Sequence, residues 1–203
     1  MSKLVCGVGI NDADYVVCRK MGGKRLTCQY YAVWHSMMRR CYGEKYRETR
    51  PAYSMCFVCE EWLTFSNFKA WMEKQAWEGN QLDKDLLMQG NKEYNPEKCL
   101  FISGILNKLL TARSLLRGEH PIGVSWSKEH SVFSSGVSIK GRRKHLGYFT
   151  TSGAAHKSWQ VAKKLIIHDV ATEQADERLK AALLLRCDQL QYDIDNGLET
   201  IKL

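Results

Sequence analysis

Residues 81–110 carry the side chains whose types and spacing best suit chemistry. Asp83 and Asp85 lie two residues apart on a predicted short strand, and a Gly-Asn-Lys loop that contains Asn91 follows. An Asn-Pro turn, a second apolar strand and a predicted helix with Asn107 complete the segment. Carboxylate and amide oxygens are ligands that a divalent metal accepts, and a bound metal can activate water for hydrolysis.

The size and composition of the chain limit what can surround this segment. The 203 residues allow one large domain or two small ones, and 44% hydrophobic with 26% charged residues is ordinary for a globular protein. No apolar run approaches about 18 residues, and no signal peptide begins the chain. We therefore expect a cytoplasmic protein without a membrane partner, whose eight cysteines are thiols or metal ligands.

The net charge of +8 is unevenly distributed along the chain. Residues 1–116 carry a net charge of +5, and residues 165–203 carry −4. Residues 117–164 hold 9 Lys/Arg against 2 Asp/Glu, a net charge of +7 in 48 residues. A dense basic segment favours a polyanionic partner such as nucleic acid, although a solvated basic surface has the same composition.

Apolar periodicity predicts a largely helical N-terminal region. Residues 29–42 place aromatic, Met and Cys side chains on one helical face. Residues 59–77 also place Trp, Phe and Met side chains on one helical face, with a break in the helix near Thr64. A short strand is predicted over 15–19 and a loop over 43–55. The predicted fold class is α+β, with a small ββα finger over about 81–110 embedded in a helical domain of residues 1–116.

The pattern changes to strands and then one helix in the second predicted domain, residues 117–164. Strands are predicted from Ile122, over 132–139 and over 145–149, with a turn over 141–144 and a helix that begins near Gly153. This is a three-stranded antiparallel sheet plus one helix. Residues 165–203 are predicted to be a helical extension whose apolar face either packs on the body or forms a homodimer.

The second domain resembles a known DNA-binding fold over about 45 residues. The matching motifs are Gly123-Val124-Ser125-Trp126, Leu146-Gly147-Tyr148-Phe149-Thr150 and Ala154-Ala155-His156. They are similar to the plant ethylene-response-factor (APETALA-type) domain, which also occurs in phage and bacterial nucleases. The resemblance implies that the sheet enters the major groove of double-stranded DNA. The side chains expected to face DNA are Ser125, Lys128, Ser135, Lys140, Arg142, Arg143 and Lys144.

The first domain resembles phage-encoded HNH-type endonucleases, many of which are homing enzymes with an attached DNA-binding module. The matching motifs run from Tyr31 through Trp34, Arg40-Cys41-Tyr42, Val58-Cys59 and Trp62 to Leu82-Asp83-Lys84-Asp85, Gly90-Asn91-Lys92, Cys99 and Asn107. The resemblance implies a finger that holds one divalent metal, usually magnesium. By position, Asp83 and Asn107 are the metal ligands, Asn91 orients the general base, and the base itself falls on Lys84.

Lys84 is an unusual residue for a general base, because a lysine with an ordinary pKa is charged at neutral pH and accepts no proton. Three interpretations follow. Asp85 is the base; or Lys84 binds the phosphate while the metal alone activates water; or the site is inactive and the fold serves DNA binding.

A second metal site is suggested by the spacing of the cysteines. Cys56 and Cys59 have the Cys-x-x-Cys spacing with which two thiolates bind one zinc ion, and Cys41 and Cys99 are the candidate partners. The alternative is that these thiols are buried apolar residues. The sequence as a whole thus predicts either a metal-dependent endonuclease targeted to double-stranded DNA or a non-catalytic DNA-binding protein of the same build. RNA binding is a third, weaker hypothesis.

Overall fold

The computed structural model describes residues 4–111 and 119–203. The chain is a mixed α+β protein, as the sequence predicts. It divides into two compact units, Met1–Ile102 and Ser103–Leu203. The predicted domain boundary between residues 116 and 117 lies outside the described residues.

A β-hairpin near the start of the first unit replaces the single predicted strand. Strands β1 (Cys18–Met21) and β2 (Lys24–Thr27) pair antiparallel. Gly22 and Gly23 connect them with φ angles of 58° and 76°, which suit a two-residue hairpin turn. The strand predicted over 15–19 therefore begins later, and its partner was not predicted.

Helix α1 (Gln29–Tyr42) has the bounds predicted from its apolar period. Its Trp34, Met37 and Met38 side chains are fully buried in the main hydrophobic cluster of this unit. The indole of Trp34 donates to the backbone carbonyl of Trp62 at 2.7 Å. Both the burial of Trp34 and this hydrogen bond fix α1 against the 3-10 turn that contains Trp62.

The other elements of the first unit are short. They are α2 (Glu44–Thr49), two 3-10 turns at Pro51–Tyr53 and Glu60–Leu63, β3 (Phe57–Val58), α3 (Phe65–Met72), β4 (Asn80–Asp83), β5 (Glu93–Tyr94) and β6 (Leu100–Ser103). Strand β3 pairs with β5, and β4 pairs with β6. The break predicted near Thr64 is confirmed, since this residue separates a 3-10 turn from α3. The loop predicted over 43–55 instead contains α2, which buries no side chain and so has no apolar period.

The second unit contains the predicted three-stranded antiparallel sheet. A short helix, α4 (Gly104–Leu110), comes first, and its N-terminus is capped by Ser103. The sheet follows, with strands β7 (Val124–Ser127), β8 (Val132–Ile139) and β9 (Arg142–Phe149) in that spatial order. A bulge shifts the β8–β9 register between Ser135 and Gly136.

Two long helices complete the second unit. Helix α5 (Ser152–Thr172) begins at the Thr151 cap, as predicted, and packs against the sheet. Helix α6 (Glu177–Asp195) begins at Asp176, whose carboxylate accepts from the first-turn amides, and packs along α5. The apolar face of the C-terminal helix is therefore used within its own unit.

A buried polar network holds the C-terminal tail on α5. The Nδ1–H of His156 donates to the Ile122 carbonyl at 2.9 Å, and its Nε2 accepts from the Thr200 amide at 3.0 Å. The Thr200 hydroxyl donates to Asp193 at 2.6 Å. These bonds join the start of β7, the helix pair and the tail, so the second unit is tied together from its first strand to its end.

No helix within residues 4–111 and 119–203 is both long and apolar enough to cross a membrane.

Candidate functional site

The predicted acidic doublet divides into two different environments. Strand β4 ends at Asp83, whose Oδ1 accepts from the amides of Asp85 at 2.9 Å and Leu86 at 2.8 Å. This turn takes Asp85 off the strand, so the prediction that both carboxylates lie on one strand face was wrong. A short polar side chain that captures following amides ends a strand in favour of a turn.

Asp83 has the chemistry of a cation ligand. Burial raises the pKa of its carboxyl group, and the two amide hydrogen bonds to Oδ1 oppose that shift. Within the described residues, no donor contacts its other oxygen, Oδ2. A partly buried carboxylate oxygen without a donor is costly, and a hard divalent cation would satisfy it.

Lys84, at the expected general-base position, is fixed in the interior. Its side chain is 5% exposed, and Nζ donates to Asp85 Oδ1 at 2.7 Å and to the Asn91 carbonyl at 2.6 Å. The ammonium also lies 5.9 Å from the ring centre of Tyr94. These contacts fix the side chain inside the loop, so the geometry suits a structural cation that holds the loop together.

Asn91 closes the loop that Lys84 opens. Its Nδ2 donates to the carbonyls of Lys84 at 2.8 Å and Glu93 at 2.7 Å, and its Oδ1 accepts from the Glu93 amide at 3.0 Å. Gly90 precedes it with a φ of 78°, a conformation that glycine adopts without strain. Both amide protons are used, so Asn91 holds the Lys84 backbone and thereby positions Asp83 and Asp85.

Asn107 lies on α4 in the second unit, whereas Asp83 lies in the first. It is partly exposed, and its Oδ1 accepts from the Thr111 hydroxyl at 3.2 Å. Within residues 4–111 and 119–203, no group of three or more His, Cys, Asp or Glu side chains is arranged to hold a metal ion. Asp83 with Asn107 as a metal-ligand pair thus stays a prediction.

The four candidate zinc ligands belong to the first unit. Cys41, Cys56 and Cys99 are buried in its core, and Cys59 is half-buried. Burial raises the pKa of the Cys41 and Cys99 thiols to about 12, so both are protonated at neutral pH in the metal-free protein. Zinc binding there would have to release those protons, since thiolates are the ligands. The zinc site remains a prediction.

The expected DNA-facing residues all lie in the second unit, where register and alternation determine their faces. Ser125 pairs with Ser134, and Ser138 pairs with Arg143. The Ser134 hydroxyl contacts His145 Nδ1 at 3.3 Å, and the His145 ring lies 4.7 Å from that of Tyr148. One face of the sheet, here called the outer face, therefore carries Ser125, Ser134, Ser138, Arg143, His145 and Tyr148.

The basic residues surround the end of the β8–β9 hairpin. Lys140 and Gly141 form its two-residue turn, with φ angles of 48° and 82°, so Arg142, Arg143 and Lys144 lie on β9 and not in the predicted turn. All four cationic side chains are exposed. Arg143 lies on the outer face, whereas Arg142 and Lys144 point to the opposite side, beside Ile139 and Val137.

Ser135 does not belong to this surface, which corrects the sequence prediction. It is 0% exposed and pairs with Val124 and Gly147 on the face that α5 covers. Strand alternation explains the error, because Ser134 and not Ser135 lies on the outer face. Ser125 and Lys128 are both exposed, Lys128 in the turn between β7 and β8.

His145 and Tyr148 are outer-face residues that the sequence analysis did not select. The exposed Tyr148 ring is flanked by His145 and by His130, each at 4.7 Å between ring centres. Alternation along β9 was the available signal, but the bulge beside Ser135 breaks that alternation.

No protein-family model, no curated protein and no solved structure matches this chain.

Proposed function

We propose that this protein binds double-stranded DNA through the outer face and the basic hairpin end of its second unit. We further propose that its first unit hydrolyses a phosphodiester bond of that DNA with a divalent metal and without a histidine as the general base. The observation that carries the proposal is strand β9, whose cationic side chains are exposed. No Asp or Glu of the three strands lies on the outer face of the sheet to which β9 belongs.

The dimensions of the sheet suit the major groove of duplex DNA. Three strands about 4.8 Å apart span roughly 10 Å, and the groove is about 12 Å wide. Arg143, His145 and Ser138 are placed on the outer face, where they would reach base edges. Lys140, Arg142 and Lys144 surround the same hairpin end and would contact the flanking phosphates.

For the cutting site, we propose that Asp83, at the end of β4 in the first unit, is a ligand of a magnesium ion. Its carboxylate oxygens fit this role, since magnesium in proteins is bound through one or two carboxylates. The ion, when bound, supplies charge stabilisation to the phosphate. Asp85 is the group that remains to accept a proton from water, and the Lys84 ammonium, 2.7 Å away, holds its carboxylate in place.

The cutting proposal is tested with supercoiled plasmid and Mg²⁺ or Mn²⁺. Wild type is expected to nick the plasmid, and Asp83→Ala and Asp85→Asn are expected to lose at least 100-fold in rate. Glu78→Gln is the matched control, because Glu78 is an exposed carboxylate in the same unit. Equal nicking by Asp83→Ala and wild type would contradict the assignment.

A second candidate function is DNA binding without cutting. The observation that favours it is Lys84, which occupies the expected base position as a buried cation with two hydrogen bonds to the loop. In that case wild type binds duplex DNA but nicks no plasmid with either metal. A competition experiment distinguishes these two DNA-directed functions from RNA binding. Duplex DNA and a structured RNA compete for the protein, and both functions require that the duplex DNA binds more tightly.

A further inference from the structure

A cavity of about 450 Å³ opens beside the edge of β8, within the second unit. Its lining includes three cationic side chains, Lys108 from α4, Arg143 from β9 and Lys163 from α5. Small-molecule sites typically have volumes of about 300–1,000 Å³, so a group of several heavy atoms fits.

Lys163 is the most unusual of these cations because it is buried without a counter-ion. Its residue is 7% exposed, and Nζ donates to the backbone carbonyl of Leu109. Within the described residues, no ion pair joins Lys163 to a carboxylate. Burial alone lowers the pKa of its ammonium group to about 8.

The surroundings of Lys163 do not compensate its charge. The Trp159 ring centre is 5.9 Å from Nζ, which contributes a weak cation–π attraction. None of the side chains that line the cavity, all of them within the described residues, is acidic. A buried cation without an anion is costly in free energy, and an anion in the cavity would remove that cost.

Two glycines let side chains pack closely over the backbone at this cavity. A Cβ at Gly136 would lie 2.8 Å from Nε of Arg143, so the guanidinium folds over the β8 backbone. Gly123, whose carbonyl accepts from the Gly136 amide at 2.9 Å, also lines the cavity, and the Trp159 ring fills the place of its missing side chain. The donors available to a ligand are therefore two ammonium groups and one guanidinium, a set typical of phosphate sites.

We infer that this cavity binds a phosphate group, with Lys163 as the buried contact and Lys108 and Arg143 as the outer contacts. The phosphate belongs either to the backbone of a nucleic acid or to a small free molecule. The first source rests on the proposed DNA binding, and the second does not.

Titration calorimetry of the full chain with inorganic phosphate, in low-chloride buffer at pH 7, tests the site itself. Lys163→Met is expected to weaken phosphate binding at least tenfold. Lys157→Met is the matched control, because Lys157 lies exposed on the same helix, and it should bind as wild type does. Since Lys163→Met could disturb folding, NMR of the wild-type lysine side chains gives a second measurement. Saturating phosphate should raise the pKa of Lys163 by about 1 unit.

Binding of a short DNA duplex at several salt concentrations distinguishes the two sources. If a backbone phosphate fills the cavity, Lys163→Met lowers the slope of log K against log salt by about 0.9, the value for one phosphate. If a free molecule fills it, that slope is unchanged while inorganic phosphate binding is lost. If no variant binds DNA, the proposed function fails and the calorimetry still decides the phosphate site. The inference is overturned if Lys163→Met and wild type have the same phosphate affinity and the same salt slope. It is also overturned if saturating phosphate leaves the pKa of Lys163 unchanged and the two proteins have the same salt slope.

Discussion

At the scale of single residues, the loop between β4 and β5 is organised by Lys84 and Asn91. The Lys84 ammonium bonds to the Asn91 carbonyl, and the Asn91 amide bonds back to the Lys84 carbonyl. This reciprocal pair positions Asp83 and Asp85 at the two sides of Lys84. The residues that the sequence marked as catalytic are thus, in part, the residues that build the loop.

Replacement of Asn91 by alanine should therefore lower the free energy of unfolding by about 2 kcal/mol, because it removes three hydrogen bonds from a 7% exposed site. Chemical denaturation followed by Trp fluorescence measures the loss. Gln89→Ala, an amide deletion at an exposed position of the same loop, is the control and should be nearly neutral. Equal stability of Asn91→Ala and wild type would show that these bonds do not hold the loop.

At the scale of secondary-structure elements, the start of β7 depends on one glycine. Gly123 has a φ of 82°, and a Cβ there would lie 2.2 Å from Cδ1 of Trp159. Helix α5 can approach the sheet this closely only because position 123 has no side chain.

Gly123→Ala should consequently destabilise the protein by about 3 kcal/mol or more, from a strained φ and a steric clash together. Thermal unfolding monitored by circular dichroism measures it. Gly153→Ala, on the exposed side of the first turn of α5, meets no atom within 4 Å and should be neutral or slightly stabilising. Similar melting temperatures for the two variants would contradict this account of the sheet–helix contact.

Helix α5 also buries Lys163, which predicts a pH dependence of stability. The pKa of this ammonium is about 8 when folded and 10.5 in its ordinary state. Between those values the unfolded chain binds more protons, so stability rises with pH over this window. Burial is the cause of this shift, and the charged side chains that face Lys163 across the cavity, Lys108 and Arg143, are both cations.

Without phosphate, wild type should gain about 3 kcal/mol relative to Lys163→Met between pH 8 and pH 10.5, since one pKa unit corresponds to about 1.4 kcal/mol. Urea denaturation of both proteins across this range gives the difference, and other titrating groups cancel in the comparison. A constant difference between the two proteins would mean that Lys163 is not buried as a free cation.

The elements also show what the sequence could predict. Helix α1 and strand β8 were predicted with their observed bounds, because a continuous apolar period or alternation runs through each. Helix α2 was missed because it buries nothing, and Arg142 to Lys144 were assigned to a turn because three consecutive charges resemble one. The face of Ser135 and the burial of Lys84 depend on tertiary packing, which spacing along the chain does not encode.

At the scale of the whole molecule, the densest basic segment and the candidate carboxylates belong to different units. Residues 117–164, with a net charge of +7, lie in the second unit and include a hairpin whose cations are exposed, and the candidate carboxylates lie in the first. This division suits a protein in which one unit binds the phosphate backbone and the other supplies the chemistry. The proposed homodimer remains a prediction, for which exposed apolar side chains such as Leu165, Leu185 and Tyr192 on α5 and α6 are the available surface.

The salt dependence of duplex DNA binding tests the central claim most directly. Fluorescence anisotropy compares wild type with the triple variant Arg142→Ala, Arg143→Ala, Lys144→Ala on β9. The matched control is Arg19→Ala, Lys20→Ala, Lys24→Ala, which removes three exposed cations from the β1–β2 hairpin. We predict weaker binding and a slope of log K against log salt reduced by about 2–3 in the β9 variant, with the control close to wild type. Equal slopes for wild type and the β9 variant would contradict the claim that this sheet binds DNA.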